Sequence, residues 1–111
     1  LETMFNADQM GMVVDKIDSP YVKVYYDTGN LCNRGYDVPA ELRQLGDRIG
    51  MIHAKDTDRQ ALGGGKVDFE GVDAAIRDIG YDGYIVLETP VGDDANADNA
   101  QNLAFIKKLG K

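Results

Sequence analysis

Apolar residues recur along the chain in two alternating periods. Met10, Val13, Val14 and Ile17 are spaced three and four apart, which puts them on one face of a helix over residues 6–18. Asn6 offers the side-chain acceptor of an N-cap, and Ser19-Pro20 stops the helix. Residues 21–26, YVKVYY, are β-branched and aromatic and predict a strand that runs into a polar turn, Asp27-Thr28-Gly29-Asn30. Pro39 opens a second helix with Leu42 and Leu45 inside. Arg48 to His53, RIGMIH, predicts a second strand, and Lys55 to Lys66 a loop rich in charge and glycine. From Phe69 and Gly71, a third helix carries Val72, Ala75, Ile76 and Ile79 as one stripe and ends at Gly80. Residues 84–88, YIVLE, are almost continuously apolar, the pattern of a strand buried on both faces. Thr89 to Ala95 is a polar loop, and a last helix over about 97–109 turns Leu103, Ile106 and Leu109 inward.

Helix and strand thus alternate, with three strands and four helices. Alternation of this kind implies right-handed crossovers and a parallel sheet. No linker, low-complexity tract or repeat divides the chain, so residues 1–111 are read as one domain. Three parallel strands leave two unpaired edges, and YIVLE expects neighbours on both sides. The expected fold class is therefore α/β, as a little under half of a (β/α)8 TIM barrel, which needs about 250 residues when whole. A small open α/β sheet is the competing fold, and it too needs a further strand.

Charge narrows the partners. Nineteen acidic residues against twelve basic ones give a net charge of −7, which argues against nucleic acid and against anionic membrane surfaces. No apolar run approaches the roughly 18 residues of a membrane span. The single cysteine, Cys32, excludes an internal disulfide and suits a reducing, cytoplasmic compartment. The start, LETMFNADQM, lacks the regions of a signal peptide and an initiator Met, so the chain is expected to be part of something longer.

Each expected strand ends in a residue able to hold a metal: Asp27, His53 (the sole histidine) and Glu88. The C-terminal ends of parallel strands lie on one side, so these three converge. One imidazole with carboxylates suits Mn²⁺, Co²⁺, Mg²⁺ or Zn²⁺. Taken singly, Asp27 reads equally as a turn residue and His53 as a core histidine. Glu88 closing an apolar strand needs a partner to be buried there. Lys55 and Arg59 place two cations beside His53, suited to a hydroxylated or phosphorylated ligand or else to pairing with Asp56 and Asp58. Gly63-Gly64-Gly65-Lys66 lacks Walker A spacing and reads as a mobile loop at the site. Cys32 reads as an inert small residue.

Three local signatures resemble the C-terminal part of the xylose-isomerase-like TIM-barrel superfamily. Val22 to Asn30 is similar to its strand ending in D-x-G-[HN], and Ile52-His53-Ala54-Lys55-Asp56 to its H-x-K-D strand end. Gly64-Gly65-Lys66-Val67-Asp68-Phe69, Ile79 to Tyr84 and Leu87-Glu88 resemble its tail. The resemblance implies a divalent metal held by two glutamates, an aspartate and a histidine, of which Asp27, His53 and Glu88 match three. It places the fourth ligand on an earlier strand, upstream of Leu1. Glu2 is more similar to a substrate-side glutamate of that region. Arg59 matches a substrate-binding arginine, Lys55 lies beside it, and Asn30 stands where many relatives have a substrate-contacting histidine.

The implied activity is sugar or sugar-phosphate isomerisation or epimerisation. A proton moves beside a ketose carbonyl through a metal-stabilised enediolate, with Glu88 as one acid/base. The isolated chain, with half of that pair, is expected to be inert. An inosose dehydratase or isomerase of the same superfamily is the near variant, and a non-catalytic half-barrel module the distant one. A DNA-repair endonuclease of the same fold fits poorly with one histidine and a charge of −7. The expected partners are a small sugar and either a second copy of the chain or the rest of the barrel.

Overall fold

The computed structural model describes residues 6–109. Helix α1 (Ala7–Ile17) starts at a reciprocal cap: the Asn6 side chain accepts the Gln9 N–H, and the Gln9 side chain accepts the Asn6 N–H. It ends where Asp18 turns left-handed, two residues before Pro20. Strand β1 (Val24–Asp27) leads directly into a short helix, α2 (Thr28–Asn33). Helix α3 (Val38–Leu45) is capped by Asp37 and carries Pro39 in its first turn. A single 3₁₀ turn joins it to β2 (Ile49–Ala54). Helix α4 (Phe69–Asp78), capped by Asp68, precedes β3 (Ile85–Leu87), and α5 (Ala95–Leu109) follows.

The strands number three, as the pattern predicts, but the helices number five among the described residues. The extra one is α2, where the sequence reads as a polar turn. Asp27 accepts the Asn30 N–H at 2.9 Å and so caps it. Turn-forming and helix-capping asparagine and aspartate use the same side-chain acceptor, which is why the pattern does not separate them.

The sheet is parallel with order β1-β2-β3, so β2 is central. Tyr26 pairs with Ile52, and Ile52 with Ile85, forming one row that faces the helices. Asp27 pairs with His53, and His53 with Val86, forming a row on the other face. Tyr26, Leu31, Leu42, Leu45, Ile52 and Ala75 are fully buried in the core on the helix side. A buried carboxylate crosses it. Glu41 of α3 accepts the Ala7 N–H of α1 at 2.7 Å and the Tyr26 hydroxyl at 2.8 Å. The helix N-terminus favours that negative charge. Burial and the Glu41 bond push the Tyr26 phenol well above its ordinary range.

Two segments depart from the sequence pattern. β3 is an edge strand, not one buried on both faces: Tyr84 is 78% exposed and Val86 37%. Ile85 and Leu87 pack against the helix-side core, while Tyr84 and Val86 face away from the helices, where no described element covers the sheet. In α5, Leu103 is 45% exposed while Asn102 is 2% exposed. The helix is rotated so that Asn102 Oδ1 accepts the Leu62 N–H at 2.9 Å and its Nδ2 donates to the Asp98 carbonyl. A polar demand of the neighbouring loop decides the register over one leucine. Ile106 and Leu109 do pack inward, with Phe105 edge-on to Phe69 at 5.5 Å. No described helix is long and apolar enough to cross a membrane.

Candidate functional site

Strand register brings the site together. Asp27, His53 and Glu88 each offer one donor atom, and these atoms all lie within 4.8 Å of one another. Asp27 is the last residue of β1 and is 6% exposed. Its Oδ1 serves the α2 cap, which leaves Oδ2 toward the site, 3.5 Å from His53 Nδ1. Glu88 follows β3 directly, and its N–H donates to the Ala54 carbonyl at 3.0 Å, fixing it beside the end of β2. Its Oε2 is 3.2 Å from His53 Nδ1 and its Oε1 is 3.4 Å from Lys55 Nζ. The Tyr25 ring leans on the imidazole, with centroids 4.1 Å apart and planes tilted by 41°.

Two carboxylates this close repel one another unless a proton or a cation lies between them. Burial raises the Asp27 carboxyl above its usual range, and the Glu88 carboxyl adds to the rise, against the pull of the Asn30 N–H. Burial acts upward on Glu88 too, but the Asp27 carboxyl, Lys55 and His53 outweigh it and hold Glu88 below its usual range. The pair therefore divides its charge, with Glu88 the more readily ionised member. A set of two oxygens and one imidazole nitrogen with a free side fits a hard or borderline divalent ion.

The loop after β2 forms the rim. Thr28, at the start of α2, accepts the Lys55 N–H at 3.1 Å and donates its hydroxyl proton to the Lys55 carbonyl at 2.7 Å. Gly29 lies so close to this turn that a Cβ would stand 2.7 Å from the Asp56 carbonyl oxygen. Asp56 is 3% exposed. Its Oδ1 accepts the N–H groups of Thr57 and Val67, and its Oδ2 those of Gly63 and Gly65. The Thr57 hydroxyl accepts the Lys66 N–H at 2.9 Å. The glycine segment, expected to be mobile, is thus fastened from within. Asp58 and Arg59 both adopt φ of +57°, a left-handed conformation costing on the order of 1 kcal/mol each.

Lys55, Arg59, Glu88 and Pro90 line one cleft of about 380 Å³. Lys55 pairs with Glu88, not with Asp56, and Arg59 makes no ion pair among the described residues. Asn30 does not line that cleft, and its N–H is spent on Asp27. The Cys32 thiol is raised by burial and by nearby Asp56, which leaves it protonated and a poor nucleophile. Glu2 lies outside the described residues. The residue whose role sequence reading missed is Asp56, taken only as a possible partner of the neighbouring cations and as the end of the H-x-K-D match. Its signal was present: an aspartate with a Gly-Gly-Gly run seven residues on offers one acceptor to several backbone donors.

The chain is 33% identical over 75 residues to the D-psicose 3-epimerase of Enterocloster bolteae, covering 68% of this chain and 25% of that protein. It is 26% identical over 104 residues to the inosose dehydratase of Geobacillus kaustophilus, covering 74% and 34%. Its fold matches a D-allulose 3-epimerase structure from Methylomonas sp. with a TM-score of 0.85 at 22% identity, covering 98% of this chain and 44% of that one. The chain thus spans about a quarter to a third of these curated relatives. The family model described as xylose isomerase-like TIM barrel matches residues 1–109, and the chain belongs to that family as part of its barrel.

Proposed function

We propose that this chain carries the C-terminal part of the active site of a metal-dependent sugar epimerase or isomerase. The observation that carries this reading is the meeting of Asp27, His53 and Glu88 at three successive strand ends. These three would hold the ion, Mn²⁺, Co²⁺, Mg²⁺ or Zn²⁺. When bound, the ion supplies Lewis-acid polarisation of a ketose carbonyl. The chain's own groups then divide the remaining work. Glu88, held ionised by its neighbours, takes or returns the proton on the carbon beside the carbonyl. Lys55, 3.4 Å from Glu88, steadies that carboxylate, and Arg59 on the cleft wall engages hydroxyl or phosphate oxygens of the sugar. Asn30, in α2 outside that cleft, would be a further substrate contact, as the family resemblance implies. A reducing cytoplasmic setting suits the free cysteine. The uncovered sheet face, with Tyr84 78% exposed, is where the remaining barrel strands belong.

The test is proton exchange. With Mn²⁺ and a panel of ketoses and ketose phosphates in deuterated water, the full chain, meaning residues 1–111 together with the rest of the barrel, is expected to exchange the proton beside the carbonyl, whereas residues 1–111 alone are expected to be inert. Glu88→Gln is expected to slow that exchange by roughly 10²–10⁴-fold, the contribution of a positioned acid/base. Equal exchange in the two proteins would sink the proposal. Inosose in the same panel separates the inosose dehydratase reading, because loss of water, and not exchange alone, then accumulates.

A further inference from the structure

Among the described residues, the buried Asp56 carboxylate has no cation against it and bonds to none of the three metal-ligand candidates. Four backbone N–H groups surround it instead, those of Thr57, Gly63, Gly65 and Val67, at 2.8, 2.8, 3.1 and 3.2 Å. Both oxygens are used twice, so the whole acceptor capacity of the group goes to one loop. The donors come from both ends of that loop. The segment between them holds Asp58 and Arg59 in left-handed backbone, a conformation that persists only where surroundings over-determine it. Gly65 sits against the carboxylate so closely that a Cβ would collide with Asp56 Oδ1. Arg59, carried on this clamped segment, lines the cleft that Glu88 also lines.

We propose that Asp56 is a positioning residue that acts through the loop backbone to hold Arg59 at the cleft opposite Glu88. It takes no part in the chemistry itself. A flexible loop would leave the guanidinium to find the ligand anew at each encounter, and its ordering would be charged against binding. The carboxylate does that ordering in advance. Asparagine, its nearest isostere, cannot replace it: one of its two polar ends is a donor and would face two N–H groups. The proposal rests on the sugar reading for the identity of the ligand, but not for the clamp.

The test compares Asp56→Asn, Arg59→Ala and the double variant in the full chain. Mn²⁺ affinity by calorimetric titration is expected to stay within about twofold in Asp56→Asn, because the three donors sit at strand ends and not on this loop. Amide protons of Gly63, Gly65 and Val67 are expected to exchange at least about tenfold faster. In the ketose assay, KM is expected to rise about tenfold in Asp56→Asn with kcat little changed. The double variant is expected to be no worse than Arg59→Ala alone, since one residue acts through the other. Additive losses, or an unchanged KM, overturn the proposal. If Asp56→Asn does not fold, Thr57→Val, which removes only the acceptor of the Lys66 N–H, loosens the same loop and faces the same criteria. Should the wild-type chain joined to the rest of its barrel turn over no ketose, the sugar reading falls by itself. The clamp is then judged on exchange: retained protection of the three amides in Asp56→Asn overturns it.

Discussion

Asp27 does two jobs with two oxygens. Oδ1 caps α2 and Oδ2 faces His53. Asp27→Asn keeps an acceptor for the cap and removes the charge, so the two roles come apart. Mn²⁺ affinity is expected to fall by more than ~100-fold, beyond what loss of an outer partner costs. Thermal stability without metal is expected to hold within about 0.5 kcal/mol, and calorimetry with a melting curve on the same sample checks both. Tyr26→Phe is the opposite kind of change. It leaves the site untouched and strips Glu41 of its hydroxyl donor inside the core. Denaturant unfolding is expected to show a loss of about 1–3 kcal/mol, the cost of a buried acceptor left short of a partner. The three strand-end residues could be read in the sequence because each closes a run of apolar or β-branched residues. Asp56 is harder to read: within HAKDTD nothing separates a clamped carboxylate from a solvated one, and only the glycine run seven residues on hints at the Gly63, Gly65 and Val67 donors folded around it.

At the level of elements, strands and capped helices follow from short-range pattern, and their positions match. α4 runs from Phe69 with its stripe of Val72, Ala75 and Ile76 turned toward the core, as its spacing implies. α2 and α5 required longer-range information. The cap of α2 looks like any polar turn, and the face of α5 is chosen by Leu62, forty residues away, whose N–H needs the Asn102 oxygen. That choice can be tested directly. Asn102→Leu raises apolar content yet is expected to destabilise the chain by about 1–3 kcal/mol, because the buried Leu62 N–H loses its acceptor. Leu103→Gln, which looks the more damaging on paper, is expected to stay within about 0.5 kcal/mol at a 45% exposed position. Equal effects from the two substitutions in urea unfolding would refute this helix register.

Across the whole molecule, the sheet is covered by helices on one side and carries the donor row on the other. A ligand that binds only the folded form stabilises it by mass action. Mn²⁺ at about 100 times its dissociation constant adds about 2.7 kcal/mol. For a domain of this size that corresponds to a rise in Tm on the order of 10 °C. The shift is expected to vanish in Asp27→Asn, as differential scanning calorimetry with and without the ion would show. The parallel pairing of Asp27 with His53 and of His53 with Val86 carries a last consequence. Side chains alternate across a strand, so a slip of one residue in either ladder would send a donor to the helix side of the sheet. Correct alignment and an intact ion site are then one and the same condition. If the site binds a divalent ion as proposed, that ion would act as a proofreader during refolding, trapping aligned chains and leaving misaligned ones free to unzip and try again.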